Sequence, residues 1–243
     1  MPGHRRLPPV LALALALSMP PATAAEPPEL EYVYPDQSVW TTRRDAAGDP
    51  VNPLLGFASA LMARAGLAWH GRGYPAARMF ERLGDRPALF SILVASPALA
   101  ACCLISRRPV AAAEVRVWRK ATTAPVGRRE DLINKTVITI RGYSYGGLLG
   151  FLREPRHHIV TSATARHDSA FAMLAAGRGD YLLDYPGPAA EVLAEHPVAG
   201  LVSDTLLRLD VHLVLSRGYP DAAAVMARLE AIAETLLAES PPP

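Results

Sequence analysis

The sequence predicts an α/β protein folded as two lobes, and three observations carry that expectation. Half of the 243 residues are hydrophobic and only 20% are charged, a balance that builds a buried core and does not suit a disordered chain. Short apolar strands alternate with helical patterns on both sides of RKATTAPVGRRED, residues 119–131, a stretch of linker composition. A last strand and a long helix follow the second alternation, and that strand needs a sheet to join. The expected division is residues 25–118 together with 206–243 in the first lobe, and 119–205 in the second.

The elements follow in chain order. Residues 1–24 have the form of an export leader: His4, Arg5 and Arg6, then the apolar VLALALAL, then Ala22-Thr23-Ala24 as a small-x-small cleavage site. Pro20 and Pro21 end the apolar run far short of the ~20 residues a spanning helix needs. LEYVY (30–34) is a strand running into the turn PDQ, and LLGFASALMARA (54–65) is a helix stopped by Gly66. LAWHG (67–71) is a strand, 76–83 a helix ending near Gly84, ALFSILVA (88–95) a buried strand and PVAAAEVRVW (109–118) another. Beyond the linker come strand 136–140, the turn RGYSYGG, helix 147–153, a strand at 159–160, helix 168–176, strand YLLD (181–184) and helix 188–195. LDVHLVLSR (209–217) and the helix 220–238 complete the chain.

Charge narrows the partners. Losing Arg5 and Arg6 with the leader brings the 25 basic residues level with the 23 acidic ones, so nothing favours nucleic acid or an anionic membrane surface. Cys102 and Cys103 are neighbours in ALAACCLI. In an exported chain they form either a strained vicinal disulfide or two core thiols facing opposite ways, and their spacing does not suit a zinc centre. No metal or other cofactor is expected.

The turn RGYSYGG and the end of YLLD hold the residues with chemistry. Ser144 lies between a strand and a helix, where free backbone N–H groups and the helix dipole favour an acceptor or anionic group. Asp184 ends a strand at the carboxyl edge of the sheet, where open α/β sheets place their ligands. Each has a plainer reading as a helix cap. Tyr34 and Trp40, at and beyond the end of the first strand, could stack on a ligand or fill the first-lobe core. A phosphate loop is excluded because no lysine follows Gly146 and Gly147, and LEYVYPDQS lacks the glycines of a dinucleotide fingerprint. Gly142-Tyr143-Ser144-Tyr145-Gly146 does match the serine-nucleophile pattern G-x-S-x-G, with His157, His158, His167, Asp180 and Asp184 nearby in sequence. The expected chain order Ser, Asp, His is met only through His196 or His212.

DLINKTVITIRGYS (131–144) and LAAGRGDYLLD (174–184), in this order behind a leader and a first lobe, resemble the bacterial family 3 extracellular solute-binding proteins. The resemblance covers nearly the whole mature chain. It implies the type 2 periplasmic binding protein-like fold, with a ligand cleft between two lobes, and a monomer that captures a small polar molecule for an ABC-type permease or a sensor. Ser144 is then a ligand contact, Asp184 the holder of a ligand amino group, and Tyr34, Trp40, Tyr143 and Tyr145 the aromatic lining. One feature departs: relatives that bind α-amino acids carry an arginine where this chain has Leu99, in Ser96-Pro97-Ala98-Leu99. Ile92 and Val94 replace polar residues of the preceding strand, and only Ser91 is kept. A standard α-amino acid is therefore not the expected ligand. The expected role is binding without catalysis, and the alternatives are a dehydratase-like enzyme on the same fold or a serine hydrolase using Ser144.

Overall fold

A computed structural model describes residues 26–49 and 51–239; the leader assigned to residues 1–24 lies outside them. The order of elements is β1 (Leu30–Pro35), α1 (Leu55–Ala65), β2 (Trp69–Tyr74), α2 (Ala76–Asp85), β3 (Leu89–Val94), α3 (Pro97–Cys102), β4 (Cys103–Ile105) and β5 (Ala111–Lys120). Then follow β6 (Thr136–Ile140), α4 (Leu148–Leu152), β7 (Val160–Thr164), α5 (His167–Ala175), β8 (Tyr181–Asp184), α6 (Pro186–Glu195), β9 (Leu201–Ser216) and α7 (Ala222–Glu239).

The strands form one curled sheet in the order β2-β1-β3-β9-β5-β8-β6-β7, with β4 also paired to β9. β1 runs parallel to β2 and β3 at one end, and β6 runs parallel to β7 and β8 at the other. Between them the antiparallel ladder of β5 and β9 joins the two parallel groups. Its register shifts between Val115 and Arg116, and such a bulge bends and twists the ladder locally. The ladder passes from one core to the other: Val110, Val211, Leu213 and Leu215 lie in the first core, and Ala113, Val115 and Val117 in the second.

Alternation along the strands explains why the first group carries helices on both faces. Leu30, Tyr32, Phe90 and Leu213 face the core shared with α1 and α7, whereas Val33, Leu89 and Val214 face Met79, Leu83, Leu99 and Cys103 of α2, α3 and β4. Helix α7 is tied to α1 by Arg64 and Glu239 (2.6 Å). Around β6 and β8, Ile138, Leu182 and Leu183 pack with Phe171 and Leu174 of α5 and with Leu148 and Leu152 of α4.

Several elements differ from the sequence expectation. β9 begins at Leu201, eight residues before the expected strand, because its first half is a half-exposed ladder that alternates without a continuous apolar run. Arg119 and Lys120, read as linker, extend β5, and Arg119 pairs with Asp204 of β9 at 2.6 Å. α3 was not foreseen, although Ser96 caps it and Pro97 opens it. Cys102 and Cys103 are both thiols; the Cys102 Sγ points to Leu99 O (3.5 Å) and that of Cys103 to Leu83 O (3.8 Å). Burial, with Cys102 beside it, pushes the Cys103 thiol up to about 12.

Candidate functional site

The chain leaves β1 at Pro35 and forms a strap, residues 36–44, that lies against the second group of elements. Thr41 Oγ1, Thr42 Oγ1 and the Thr42 N–H all donate to the Glu191 carboxylate of α6, each at 2.6 Å. Arg43 stands 3.6 Å from the same group. Gly187, near the start of α6, is needed there because a Cβ on it would sit 1.9 Å from the Trp40 carbonyl oxygen. The Trp40 ring packs against both cores. Gln37 reaches the turn after β6: a Cβ on Gly142 (φ +97) would lie 2.8 Å from its Oε1.

The strap separates two cavities. The larger, about 390 Å³, lies between strap residues Gln37, Thr41 and Arg43 and the side chains of Tyr143, His167 and His196. The smaller, about 80 Å³, is apolar and lined by Tyr34, Trp40, Ile92, Val94 and Val211, with Asn52 at its edge. Tyr34 and Tyr143 therefore look into different spaces, with Gln37 and Ser38 shared between them.

The turn after β6 is held by its tyrosines. Tyr145 has a left-handed backbone (φ 50) and is fully buried; its hydroxyl accepts from the Ile140 N–H (2.7 Å) and donates to Leu183 O (3.1 Å), pinning the turn to β6 and β8. Tyr143 is 7% exposed, its ring meets Tyr145 and Tyr185 edge-on, and its hydroxyl donates to Ser38 O (2.8 Å). Burial, reinforced by the nearby Asp184, holds the Tyr143 phenol well above its ordinary range. Ser144 is exposed, in ordinary right-handed geometry (φ −93, ψ −15), with its hydroxyl capping nothing. The left-handed positions of this turn are Gly142, Tyr145, Gly146 and Gly147, of which only Tyr145 is strained, and the serine is none of them, unlike a nucleophile elbow, which places its serine at the strained corner. Among the described residues no histidine is hydrogen-bonded to Ser144.

Asp184 is fully buried, and its partners are internal. His167 Nδ1 lies 2.8 and 3.0 Å from its two oxygens, and the Tyr185 N–H donates to Oδ1 at 2.8 Å. Burial pushes the carboxyl above its usual range against the pull of His167. The group foreseen as a direct ligand anchor is thus enclosed behind an imidazole. Ser91 is likewise fully buried and donates to Val33 O (2.6 Å), clipping β3 to β1. Of the foreseen residues, Tyr143 lines the larger cavity, Tyr34 and Trp40 line the smaller, Ser144 is exposed beside Tyr143, and Ser91, Tyr145 and Asp184 support the frame.

Glu191, Gln37 and Arg166 escaped the sequence reading as site residues, and His167 entered it only as a neighbour of Ser144 in a hydrolase set, not as the partner of Asp184. The one available signal was Arg166-His167-Asp168 at the start of a helix whose next strand ends in Asp184. Arg166 pairs with Asp168 at the rim, and this pairing holds the Asp168 carboxyl at about 2. Among the described residues no group of three or more His, Cys, Asp or Glu side chains is placed to hold a metal ion.

No protein-family model matches the chain, and no curated protein does. Solved structures do. A histidine kinase sensor domain with similarity to periplasmic binding proteins aligns at a TM-score of 0.67 and 17% identity, over 87% of this chain and 90% of that one. The substrate-binding protein of an amino acid ABC transporter aligns at 0.61 and 13% identity, over 87% and 93%. AncCDT-1, an ancestral amino acid-binding protein and a precursor of cyclohexadienyl dehydratase, aligns at 0.63 and 15% identity, over 87% and 90%. With two parallel strand groups joined through the β5–β9 ladder, and with these neighbours, the chain has the two-lobed type 2 fold of periplasmic binding proteins.

Proposed function

We propose that this chain is a periplasmic solute-binding protein, exported by its leader, that captures a small polar molecule and presents it to an ABC-type permease or a sensor. The lobes are residues 25–118 with 206–243, and 119–205; the β5–β9 ladder is the hinge between them. Tyr143 and the exposed Ser144 beside it are the proposed contacts at the larger cleft and Tyr34 and Trp40 those at the smaller, with Ser91, Tyr145 and Asp184 acting through the frame. The observation that carries this reading is the 390 Å³ cleft between the strap and the start of α5. It lies by the carboxyl ends of β6 and β8, where open α/β sheets bind ligands, and its size suits a small molecule. Leu99 is 1% exposed and sits in the core with Val33 and Leu83. No guanidinium stands at that position to fork onto an α-carboxylate.

The test is a calorimetric screen of unfolded and refolded protein, freed of any carried ligand, against amino acids, polyamines, aromatic acids, small carboxylates and sugars. Saturable binding that Tyr143→Ala abolishes supports the reading; binding that Tyr143→Ala leaves intact, or no binding across the panel, refutes it. A second reading, turnover in the same cleft, draws on the buried Asp184–His167 pair, the arrangement of an oriented base. Conversion of the ligand identified in the screen, lost in His167→Ala, would establish it.

A further inference from the structure

His167 stands between a buried carboxylate and the larger cleft, and the hydrogen bonds around it fix what it shows to that cleft. Tyr143 has one hydroxyl proton, and it goes to Ser38 O at 2.8 Å. Only oxygen lone pairs of Tyr143 then face His167 Nε2, 3.4 Å away. A lone pair on Nε2 would oppose them, whereas an N–H there is compatible with them. The other ring nitrogen faces both oxygens of Asp184. An Nε2–H therefore means that the Asp184–His167 pair holds one proton more than a carboxylate beside a neutral ring. Asp184 is fully buried, and a buried pair without that proton would carry an uncompensated negative charge, which is costly away from water.

We infer that His167 is the specificity-determining residue of the cleft: it presents an Nε2–H donor, backed by Asp184, to a carboxylate of the bound molecule, and a free ammonium group is not what this wall selects. The inference rests on the cleft being the solute site. Arg166 and Arg43 on the cleft rim complement an anion, although each also has an acidic neighbour, Asp168 and Glu191 respectively. Losing the shared proton turns Nε2 from donor to acceptor, so carboxylate binding weakens as pH rises, by about tenfold per unit above the apparent pKa of the pair. Other charged groups also face the cleft. Tyr143 stays neutral because its phenol is raised, and Asp168 stays anionic because its carboxyl is held at about 2. Arg43 and Arg44 of the strap and Arg166 bring guanidinium groups to the cleft, and Asp36 of the strap and Glu195 of α6 bring carboxyl groups. His196 also lines the cleft with an imidazole of its own, so His196→Gln is the control.

The experiment records the imidazole nitrogen resonances of the whole mature protein by nitrogen-15 NMR, with His167→Asn used to assign them. Acetate and methylammonium are titrated in turn at fixed ionic strength. The expected result is a protonated Nε2 near neutral pH, saturable movement of the His167 signals with acetate, none with methylammonium, and loss of the acetate effect at alkaline pH in the wild type and in His196→Gln alike. Asp184→Asn, if it folds, moves the midpoint of that loss to lower pH. Movement with methylammonium instead of acetate overturns the inference, as does an Nε2 without a proton or a pH dependence that vanishes in His196→Gln. A compound from the calorimetric screen that binds in the cleft while His167 stays silent overturns this inference and leaves the solute-binding reading standing.

Discussion

Replacing Glu191 with alanine should release the strap. Three hydrogen bonds of 2.6 Å, from Thr41 Oγ1, Thr42 Oγ1 and the Thr42 N–H, end on this one carboxylate. A net contribution of about 0.5–1.5 kcal/mol each gives about 1.5–4.5 kcal/mol together. Glu191 is 31% exposed on its side chain, so water screens the group, and a value toward the low end, about 2 kcal/mol, is the expected loss. Thr41, only 5% exposed, is the donor that water replaces least easily. The assay is hydrogen exchange at the Thr42 amide, paired with denaturant unfolding. A loss of about 2 kcal/mol corresponds to about a thirtyfold fall in protection of that amide. The dependence on pH has a definite sign. Burial works to raise the Glu191 carboxyl, and the hydrogen bonds from Thr41 and Thr42 outweigh it, leaving it below the usual range. Its stabilising contribution is then full above the ordinary carboxylate range and is lost as pH falls through the lowered value. Unchanged exchange at Thr42 in Glu191→Ala, with unchanged stability, would refute the view that this contact latches the strap.

Other outcomes follow from the same geometry. Gly187→Ala should cost about 1–3 kcal/mol by overpacking, since its Cβ would meet the Trp40 carbonyl at 1.9 Å, and Trp40 fluorescence should shift to the red; an unchanged spectrum and melting temperature would contradict the close approach. Tyr145→Phe removes both hydrogen bonds that pin the turn after β6, so calorimetric unfolding should show a loss of about 1–3 kcal/mol. Glu31, held below its ordinary range by Tyr74 and Arg82 against the upward push of burial, should add stability above that range and lose it on acidification; Glu31→Gln should therefore flatten the acid limb of the stability curve. Fluorophosphonate labelling at Ser144 is expected to fail, and robust labelling there would favour the hydrolase.

Local pattern made much of the frame legible. YLLD is both apolar and short, and β8 spans those four residues; α7 shows its spacing over many turns, and its observed span differs from the reading by a residue or two at each end. The first half of β9 stayed hidden because its burial is set by pairing with β5 across some 90 residues rather than by an apolar run of its own. The site was legible only as a location. The turn at Tyr143 and the strand end at Asp184 were found, but their partners were not. Glu191 meets Thr41 and Thr42 from about 150 residues away, and no local signal records such a pairing. Asp184 reads in sequence as an open carboxylate at a sheet edge, and only the fold places His167 in front of it. Ser91 and Tyr145 are polar residues in the right segments whose hydroxyls serve backbone carbonyls instead. Buried polar groups seek such partners because leaving them unpaired is costly.

The central claim is that the strap and the start of α5 enclose a small molecule, and native mass spectrometry of the protein, purified without denaturation, tests it most directly. The account predicts one non-covalent small-molecule adduct per chain, released by gentle activation and absent from Tyr143→Ala. Either a bare chain under these conditions or an adduct that survives unfolding at Ser144 would contradict it.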